Sequence, residues 1–312
     1  MKSVKIKNKG EIEYYPEDDK IQEDFYMGKV EVLLESLPYI KQYFGEIVVV
    51  KIGGSMMEKD AILQSVLNDL ILMKYVGIKI VLIHGGGKQI TKLMEEKGIK
   101  TKFVDGLRVT DRKSIDIVKT VLIGDINVKI VSFLNKHGKI SIGISGNDAS
   151  FIQCSKKQYK KNGKNIDLGY VGTINDINSD FIVNILNDKY IPVIASLGVD
   201  GCGNIYNINA DTCACEIAKS VKAKKMILLT DVDGIIKYTD GKEKLVSRLT
   251  SGKCLQMVKS GEINSGMIPK VKACIKALEG GVGRAHILSG TVEHSILVEI
   301  FTDKGIGTMI TD

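Results

Sequence analysis

The chain has 312 residues, which is long enough for one large α/β domain or two lobes with a sizeable core. Its apolar runs fall short of the ~18 residues of a membrane span, and residues 1–20 lack the apolar stretch of a signal peptide, so we expect a cytoplasmic protein without a membrane partner. The net charge of +7 comes from dispersed lysines without tryptophan, and the six cysteines form no CxxC pair, which disfavours nucleic-acid binding, zinc and disulfides.

The N-terminal region divides into two predicted segments. Residues 1–28 show no clear hydrophobic period, so we expect a tail with little order. In residues 29–45, apolar side chains such as Val30 and Leu33 recur at helical spacing, which predicts an amphipathic helix that Pro38 should kink. Its apolar stripe requires a partner, either the core of this chain or another chain.

From residue 46 onward, short β-branched runs alternate with helical patterns. The predicted strands are 47–52, 78–83, 140–145, 190–197, 226–230 and 285–289. The predicted helices lie near 58–76, 88–97, 112–136, 178–187, 210–221, 268–280 and 291–301. Continuous apolar strands joined by helices predict an α/β fold with a mainly parallel central sheet that is covered on both faces. Residues 151–176 favour a β-hairpin excursion, and residues 237–244 favour a surface loop.

Glycine- or aspartate-rich turns follow three of the predicted strands. They are KIGGSMM (51–57), HGGGKQI (84–90) and LLTDVDG (228–234). Glycines at the carboxyl ends of parallel strands let backbone N–H groups approach an anion, and the following helix N-terminus adds partial positive charge. A tight turn explains any one loop, but two successive glycine loops favour an anion site. Because the chain lacks GxxxxGK[ST] and a strand-linked GxGxxG, it is neither a P-loop protein nor a typical dinucleotide binder.

Six motifs occur in a fixed order and together resemble one family. They are KIGGS (51–55), HGGGKQI, VDGLRVT (104–110), NINAD (207–211), LLTDVDG and GMIPKVKAC (266–274). From about residue 29 to residue 312 the chain resembles the N-acetylglutamate kinases of the amino-acid kinase family, in their arginine-inhibited form. The resemblance implies a three-layer αβα sandwich, in which residues 46–198 bind N-acetyl-L-glutamate and residues 199–312 bind ATP.

The implied reaction transfers a phosphoryl group from MgATP to the side-chain carboxylate of N-acetyl-L-glutamate. Its product is the acyl phosphate used in arginine biosynthesis. A carboxylate with a pKa near ~4.3 is already ionised at neutral pH, so the reaction needs no general base. The site instead needs lysines, backbone donors and Mg²⁺, carried on the ATP phosphates, to position and neutralise the crowded negative charge.

Two lysines and one aspartate are the predicted catalytic residues. Lys51 ends the first apolar strand, and Lys270 follows Pro269 at the start of a helix. The resemblance implies that both ammonium groups contact the transferring phosphoryl group and that Asp211, in NINAD, holds them in place. The alternatives are a lysine that extends to solvent at a strand end and an ordinary N-cap aspartate.

The resemblance also assigns residues to the two substrates. Arg108 would grip the α-carboxylate of acetylglutamate through two parallel hydrogen bonds, while Gly85, Gly86 and Asn207 bind the rest of the acceptor. His84, beside this loop, is interpreted as structural. The residues predicted to line the nucleotide pocket are Gly53, Gly54, Asp231, Val232, Asp233, Gly234, Glu262, Ile263 and Asn264.

Two features resemble the arginine-inhibited form of these kinases, namely the helix at 29–45 and the segment 286–310. In that form, N-terminal helices join dimers into a hexameric ring, and arginine binds near the helix and the C-terminal segment. Lys225, His286 and Glu299 are the predicted arginine contacts, although surface charge or a core histidine explains them equally well. A PII-type signalling protein is a further conceivable partner.

Two other functions stay open. The first is another kinase of the same family, acting on aspartate, glutamate, carbamate or UMP, against which VDGLRVT argues. The second is a catalytically silent arginine-sensing protein, which the presence of Lys51, Asp211 and Lys270 together disfavours. Two positions depart from the family pattern, since Asn147 replaces a common lysine and Asn264–Ser265 replace a glycine-rich pair.

Overall fold

The computed structural model describes residues 19–239, 242–264, 266–303 and 305–312. Of the described residues, 19–42 form one compact unit, and those from Tyr43 to Asp312 form a second. Within the described ranges, no helix is both long and apolar enough to cross a membrane.

The first helix, α1, begins earlier than the hydrophobic period predicts. It spans Asp19–Tyr43, so the expectation of a tail is wrong for residues 19–28, while residues 1–18 lie outside the described chain. Gly28 costs only about 1 kcal/mol inside a helix, which does not stop one of this length. The helix also continues through Pro38 as a single element.

The second unit alternates strands and helices. Its helices are α2 (Asp60–Tyr75), α3 (Gly87–Glu96), α4 (Arg112–Lys119), α5 (Val128–Asn135), α6 (Ser179–Asn187), α7 (Ala210–Ser220), α8 (Ser251–Lys259), α9 (Ile268–Glu279) and α10 (Ser295–Phe301). Its strands are β1 (Ile47–Ile52), β2 (Lys79–His84), β3 (Phe103–Val104), β4 (Leu107–Arg108), β5 (Ser141–Ser145), β6 (Ile152–Lys156), β7 (Tyr159–Lys161), β8 (Lys164–Ile166), β9 (Gly172–Ile177), β10 (Ile191–Ala195), β11 (Leu197–Val199), β12 (Ile205–Asn207), β13 (Lys225–Thr230), β14 (Ile236–Thr239), β15 (Lys242–Leu245), β16 (Arg248–Thr250), β17 (Arg284–Ser289) and β18 (Thr308–Thr311).

Eight strands form the central sheet, in the order β16–β18–β17–β13–β1–β2–β10–β5. The strands from β17 to β5 run parallel, whereas β18 is antiparallel to β17 and carries β16 beside it. Side chains alternate between the faces, so Val50 and Leu82 pack in one apolar core and Val49 and Val81 in the other. The predicted α/β sandwich is confirmed, because strands buried on both faces carry continuous apolar sequence.

Both predicted lobes contribute to this one sheet. The segment 46–198 supplies β1, β2, β5 and β10, and the segment 199–312 supplies β13 and β16 to β18. The two halves join where β1 pairs with β13, with Val50 opposite Ile227. The assignment of one half to the acceptor and the other to the nucleotide stays a prediction.

Smaller sheets and hairpins lie beside the central sheet. A second sheet has the order β12–β11–β6–β9, and its antiparallel β6–β9 pair confirms the predicted excursion over 151–176. The two-stranded hairpins are β3–β4, β7–β8 and β14–β15. The surface loop predicted at 237–244 is wrong, since β14 and β15 pair there. Residues 242–244 are all exposed, so this hairpin has no alternating apolar pattern to reveal it.

The long helix predicted at 112–136 contains an irregular middle. It consists of α4, a π-helical segment at Thr120–Asn127 and α5. Asp111 caps its start, where the side chain accepts a 2.8 Å hydrogen bond from the Ser114 backbone N–H. A π-helical turn changes the direction in which side chains leave the helix, and such turns occur frequently at functional sites.

Candidate active site

The two glycine loops follow β1 and β2, which are neighbours in the central sheet. A Cβ added at Gly54 would lie 2.5 Å from Asp231 Oδ1, and φ at Gly54 is +74°, so glycine alone fits there without strain. A Cβ added at Gly86 would lie 2.5 Å from Ile126 Cδ1. The glycines therefore let the first loop approach the end of β13, and let the second loop approach the π-helical segment.

Lys51, Asp211 and Lys270 meet beside these loops, although they come from β1, α7 and α9. The Lys51 ammonium lies 2.8 Å from Asp211 Oδ1, and the two groups form a buried ion pair. Lys270 donates a 3.4 Å hydrogen bond to Asp211 Oδ2. The Asp211 side chain is 8% exposed, so one buried carboxylate holds two ammonium groups and leaves a local charge of one positive unit.

Asp211 stays ionised because of its neighbours. Burial raises the pKa of the Asp211 carboxyl, but attraction to Lys51 and Lys270 outweighs it, so this pKa lies below its ordinary value. The N-cap alternative for Asp211 is wrong, because Asn209 caps α7 by accepting a 3.0 Å hydrogen bond from the Thr212 backbone N–H. The Asp211 carboxylate thus remains available to the two lysines.

A cavity of about 490 Å³ opens in front of Lys51 and the glycine loops. The predicted site residues that line it are Lys51, Gly53, Gly54, Gly85, Gly86, Arg108 and Asn207. Asn207 lies on β12 and donates a 3.3 Å hydrogen bond to Thr110 Oγ1. The residues predicted to bind the acceptor therefore share one cavity with the first predicted catalytic lysine.

Arg108 is buried in the β3–β4 hairpin at the side of this cavity. Its Nη2 donates hydrogen bonds to the Gly87 carbonyl at 2.6 Å and to Thr91 Oγ1 at 2.7 Å. The centre of the Phe103 ring lies 4.7 Å from the guanidinium carbon. Burial lowers the pKa of Arg108, but a guanidinium stays charged at neutral pH. Because it has five N–H donors, Arg108 can still bind a carboxylate in addition to these contacts.

His84 joins the second glycine loop to the π-helical segment. Its Nε2 lies 3.1 Å from Asn127 Nδ2, and the same amide nitrogen donates to the Val193 carbonyl at 2.8 Å. Because an amide nitrogen only donates, Nε2 accepts and Nδ1 carries the proton that it shares with the Gly85 carbonyl at 3.1 Å. Burial lowers the pKa of His84 to about 4, so the ring is neutral at pH 7, as a structural role requires.

The residues predicted to line the nucleotide pocket do not all reach this cavity. Gly53 and Gly54 line it, and Asp231 lies against Gly54. Gly234 is buried against Thr308, and the Ile263 side chain is buried in the apolar core. Only backbone atoms of these last two residues can therefore contact a nucleotide.

The remaining predicted nucleotide residues lie at the surface near the ends of β13 and α8. Val232, Asp233 and Glu262 are exposed. Asn264 Oδ1 accepts a 2.9 Å hydrogen bond from the Met267 backbone N–H, which fixes the turn before α9. Their role in binding ATP stays a prediction.

Lys225, His286 and Glu299 form a second cluster, from β13, β17 and α10. His286 Nδ1 lies 2.7 Å from Glu299 Oε1, and Lys225 Nζ lies 3.5 Å from the Glu299 backbone carbonyl. The Tyr43 ring centre is 5.1 Å from the same Nζ. Burial lowers the pKa of Lys225 to about 8 and also lowers the pKa of His286. At neutral pH the imidazole is therefore neutral, and Lys225 and Glu299 carry the charges.

The predicted site residues omit several that line the cavity, which include Lys88, Thr91, Phe103, Leu107, Leu122 and Val171. Lys88 lies inside HGGGKQI, and Leu107 inside VDGLRVT, so the sequence does carry a signal for them. Leu122 lies in the π-helical segment, outside the motifs, and helical spacing from Ile115 and Val118 predicts only that it is buried. Of the cysteines, five are buried as expected, but Cys202 is exposed, and all six are free thiols.

The fold and the site together define a class of protein. Glycine loops at the carboxyl ends of parallel strands, with two lysines on one aspartate, suit the close approach of two anions. This combination is typical of phosphotransferases that act on small anionic acceptors.

The chain belongs to the amino acid kinase family, whose sequence profile matches residues 46–289. An acetylglutamate kinase from Thermoanaerobacter pseudethanolicus is 49% identical over 284 residues, which cover 91% of this chain and 93% of the relative. An acetylglutamate kinase from Caldicellulosiruptor bescii is 45% identical over 287 residues, covering 92% of this chain and 98% of the relative.

Solved structures share the fold. An N-acetylglutamate synthase from Neisseria gonorrhoeae, complexed with coenzyme A and N-acetyl-glutamate, has a TM-score of 0.81 at 27% identity, and the match covers 91% of this chain and 63% of that one. Carbamate kinase from Giardia lamblia bound to AMP-PNP has a TM-score of 0.60 at 16% identity, covering 86% of this chain and 99% of that one. At 16% identity the likeness concerns the fold alone.

Proposed function

We propose that this chain phosphorylates the side-chain carboxylate of N-acetyl-L-glutamate with MgATP, giving N-acetyl-L-glutamyl 5-phosphate in arginine biosynthesis. The observation that carries the proposal is the pair of lysines on Asp211. Their ammonium groups lie 2.8 and 3.4 Å from its two oxygens, and Lys51 and Arg108 line the same cavity. The relatives named acetylglutamate kinase support this acceptor, since they are 45–49% identical over nine tenths of the chain.

The chemistry follows from the charges of the two substrates. An acceptor carboxylate oxygen attacks the γ-phosphorus, the bond to the bridging oxygen breaks, and ADP leaves with the electron pair. No proton has to be removed, because the acceptor is already ionised. Lys51 and Lys270 stabilise the negative charge of the phosphoryl group during transfer, and Asp211 fixes their positions before the substrates arrive.

The acceptor is held by groups that already line the cavity. Arg108 binds the α-carboxylate, for which the planar guanidinium provides two parallel donors. The backbone N–H groups at Gly85 and Gly86 and the side-chain amide of Asn207 bind the rest of the molecule. In this proposal the side-chain carboxylate of the acceptor then faces Lys51.

Mg²⁺ enters on the phosphates of ATP and neutralises part of their charge. The Asp231 carboxylate, against Gly54 at the first glycine loop, offers it an oxygen ligand. One carboxylate together with phosphate oxygens and waters suits this cation, so the residues present fit it.

A panel of acceptors tests the proposal. We expect MgATP-dependent ADP release with N-acetyl-L-glutamate and background rates with aspartate, glutamate, carbamate and UMP. Faster release with one of the latter would assign a different acceptor. Arginine binding without ATP turnover on any acceptor would support the catalytically silent, arginine-sensing alternative.

We further propose that arginine inhibits the enzyme by binding at Lys225, His286 and Glu299. The buried Glu299 carboxylate can receive a guanidinium bidentately, and Lys225 can face the carboxylate end of the ligand. The Neisseria gonorrhoeae synthase has been solved with coenzyme A and L-arginine, with a TM-score of 0.76 at 27% identity to this chain. We expect saturating arginine to inhibit the wild type and to leave Glu299→Gln active. Unchanged wild-type activity would reject the inhibition.

We propose last that the protein forms a homo-oligomer through α1, and the expected state is a hexamer assembled from dimers. Within the helix, Leu33 and Leu34 are more than half exposed, and the surrounding apolar residues include Phe25, Met27, Val30 and Leu37. Exposed apolar side chains on one helix require a cover, and a second copy of the helix supplies one. Sedimentation velocity of the wild type and of Leu33→Glu tests it, since the variant should form smaller assemblies. A PII-type partner stays a proposal for pull-down experiments.

A further inference from the structure

Lys88 lines the same cavity as Lys51 and the two glycine loops, but the reaction described so far gives it no role. It is the second residue of α3, directly after the second glycine loop. Its ammonium lies 2.9 Å from Glu58 Oε2, and 50% of its side chain is exposed. A cation therefore stands at the rim of a cavity that has to receive two anionic substrates.

Acids from two neighbouring loops surround the first glycine loop together with Lys88. Glu58 follows the 3₁₀ turn Gly54–Met57, and Asp231 lies against Gly54. The hydrogen bond to Glu58 raises the pKa of Lys88, and the charges of Glu58 and Asp231 act in the same direction. Lys88 is thus electrostatically linked to acids on both sides of the first glycine loop, whose glycines let the backbone approach a phosphate.

The ion pair between Lys88 and Glu58 is easy to exchange. Both side chains are about half exposed, and exposed lysine–carboxylate pairs contribute little to stability because water and salt screen them. A lysine ammonium sits on a flexible stem and binds phosphate as a compact charge. A nucleotide phosphate, which carries more negative charge than one carboxylate, can therefore displace Glu58.

The charges of the predicted catalytic residues do not neutralise both substrates, so a further cation would assist the reaction. Lys51 and Lys270 share Asp211, so together they present one net positive charge to the phosphates and the acceptor carboxylate. Phosphoryl transfer depends on neutralising more charge than this. Lys88 adds a positive charge at the rim only when its own partner is released.

We propose that Lys88 exchanges Glu58 for a phosphate of the donor nucleotide, and so acts as a third phosphate-binding lysine whose resting partner is Glu58. The proposal rests on the proposed function for the identity of the donor. Glu58 competes with the nucleotide for Lys88, so the two residues of one ion pair have opposite effects on nucleotide binding.

Isothermal titration calorimetry with MgATP on the full-length protein tests these opposite effects. Lys88→Gln should raise Kd for MgATP by about tenfold, since a charge-assisted hydrogen bond to phosphate is lost. Glu58→Gln should lower Kd by about twofold to fivefold, since a competing surface pair is removed. If the pair only ties α3 to the first loop, both substitutions will shift Kd in the same direction or not at all, and the exchange is overturned.

A matched pair elsewhere controls for general charge effects. Lys129 and Asp60 form a 2.6 Å ion pair between exposed side chains on α5 and α2, and both line a second cavity that shares no lining residue with the first. Lys129→Gln and Asp60→Asn should leave Kd for MgATP unchanged. Thermal unfolding of all four variants confirms that each is folded before its Kd is compared.

The double variant separates exchange from simple repulsion by Glu58. If Glu58 acts through Lys88, adding Glu58→Gln to Lys88→Gln gives no further gain in affinity. A full gain in that background would show that Glu58 repels the nucleotide directly, and the exchange would be wrong. Wild-type turnover of acetylglutamate is measured first. An inactive wild type would count against the proposed function. In an active enzyme, equal shifts of Kd for MgATP in Lys88→Gln and Glu58→Gln would count against the role of Lys88 alone.

Discussion

At the scale of the residue, Asp211 is the group on which the site depends. Its carboxylate is almost fully buried, and it remains charged because Lys51 and Lys270 lower its pKa against the effect of burial. A buried ion pair adds little stability relative to apolar packing, but removing one partner leaves a buried charge without compensation. The arrangement is therefore better explained by the need to fix two ammonium groups than by stability.

The pH dependence of stability tests this reading of Asp211. Since its pKa is lowered in the folded protein, its stabilising contribution is present above the unfolded value of about 3.9 and is lost as the pH falls through the folded value. Asp211→Asn should therefore be less stable than the wild type at neutral pH, and the difference in unfolding free energy should shrink on acidification below about pH 4. Urea denaturation across this range measures it. Asp116→Asn, at an exposed carboxylate, should change little, and a pH-independent difference for Asp211→Asn would contradict the assignment.

Arg108 permits a second prediction at the same scale. Arg108→Ala should raise KM for acetylglutamate by about tenfold or more with a smaller change in kcat, because it binds a part of the acceptor that does not react. Arg108→Lys keeps the charge but loses the planar fork, and should recover only part of the affinity. Arg112→Ala is the control, since this exposed arginine bonds to the Tyr170 hydroxyl instead. An unchanged KM in Arg108→Ala would remove Arg108 from the acceptor site.

At the scale of the element, the sequence predicts those strands and helices whose side chains are buried or follow a regular hydrophobic period. The apolar runs of β1, β2 and β13 are almost fully buried, so their composition identifies them directly. The strands β16 and β18 and the helix α8 escape prediction because they are short and only partly buried. Site residues inside motifs, such as Arg108, can likewise be located. Leu122 cannot, because it lies outside the motifs and an apolar side chain at helical spacing indicates burial but not a position at the cavity.

The second glycine loop gives a prediction about these elements. In Gly86→Ala the new methyl group would meet Ile126 Cδ1 at 2.5 Å and Leu122 Cδ2 at 2.8 Å, so these side chains of the π-helical segment have to shift. We expect a loss of about 1–3 kcal/mol in unfolding free energy, with a raised KM for acetylglutamate. Gly87→Ala is the matched control for stability, because a Cβ there has open space. Equal stability of the two variants would show that the close contact at Gly86 has no consequence.

At the scale of the whole molecule, the central sheet brings together residues that are far apart in the sequence. Lys51 ends a strand of the first half, while Asp211 and Lys270 lie on helices of the second half, and the halves join through the β1–β13 pair. The motif order predicts that these residues belong to one site. The distances between them depend on the packing of α7 and α9 against the sheet, which no local pattern contains.

A control for the lysine assignment lies two residues from Lys270. Lys272 is exposed on α9, whereas Lys270 reaches Asp211. Lys272→Ala should therefore retain wild-type kinetics. This variant shows whether the loss of a positive charge near the start of α9 is by itself enough to lower kcat.

The most direct test of the account is kcat for MgATP-dependent phosphorylation of N-acetyl-L-glutamate by the wild type, Lys51→Ala and Lys270→Ala. Each lysine stabilises the phosphoryl group in transfer, so each substitution should lower kcat by about 10²–10³-fold with only a modest change in KM. A folded Lys51→Ala or Lys270→Ala enzyme with near wild-type kcat would contradict it.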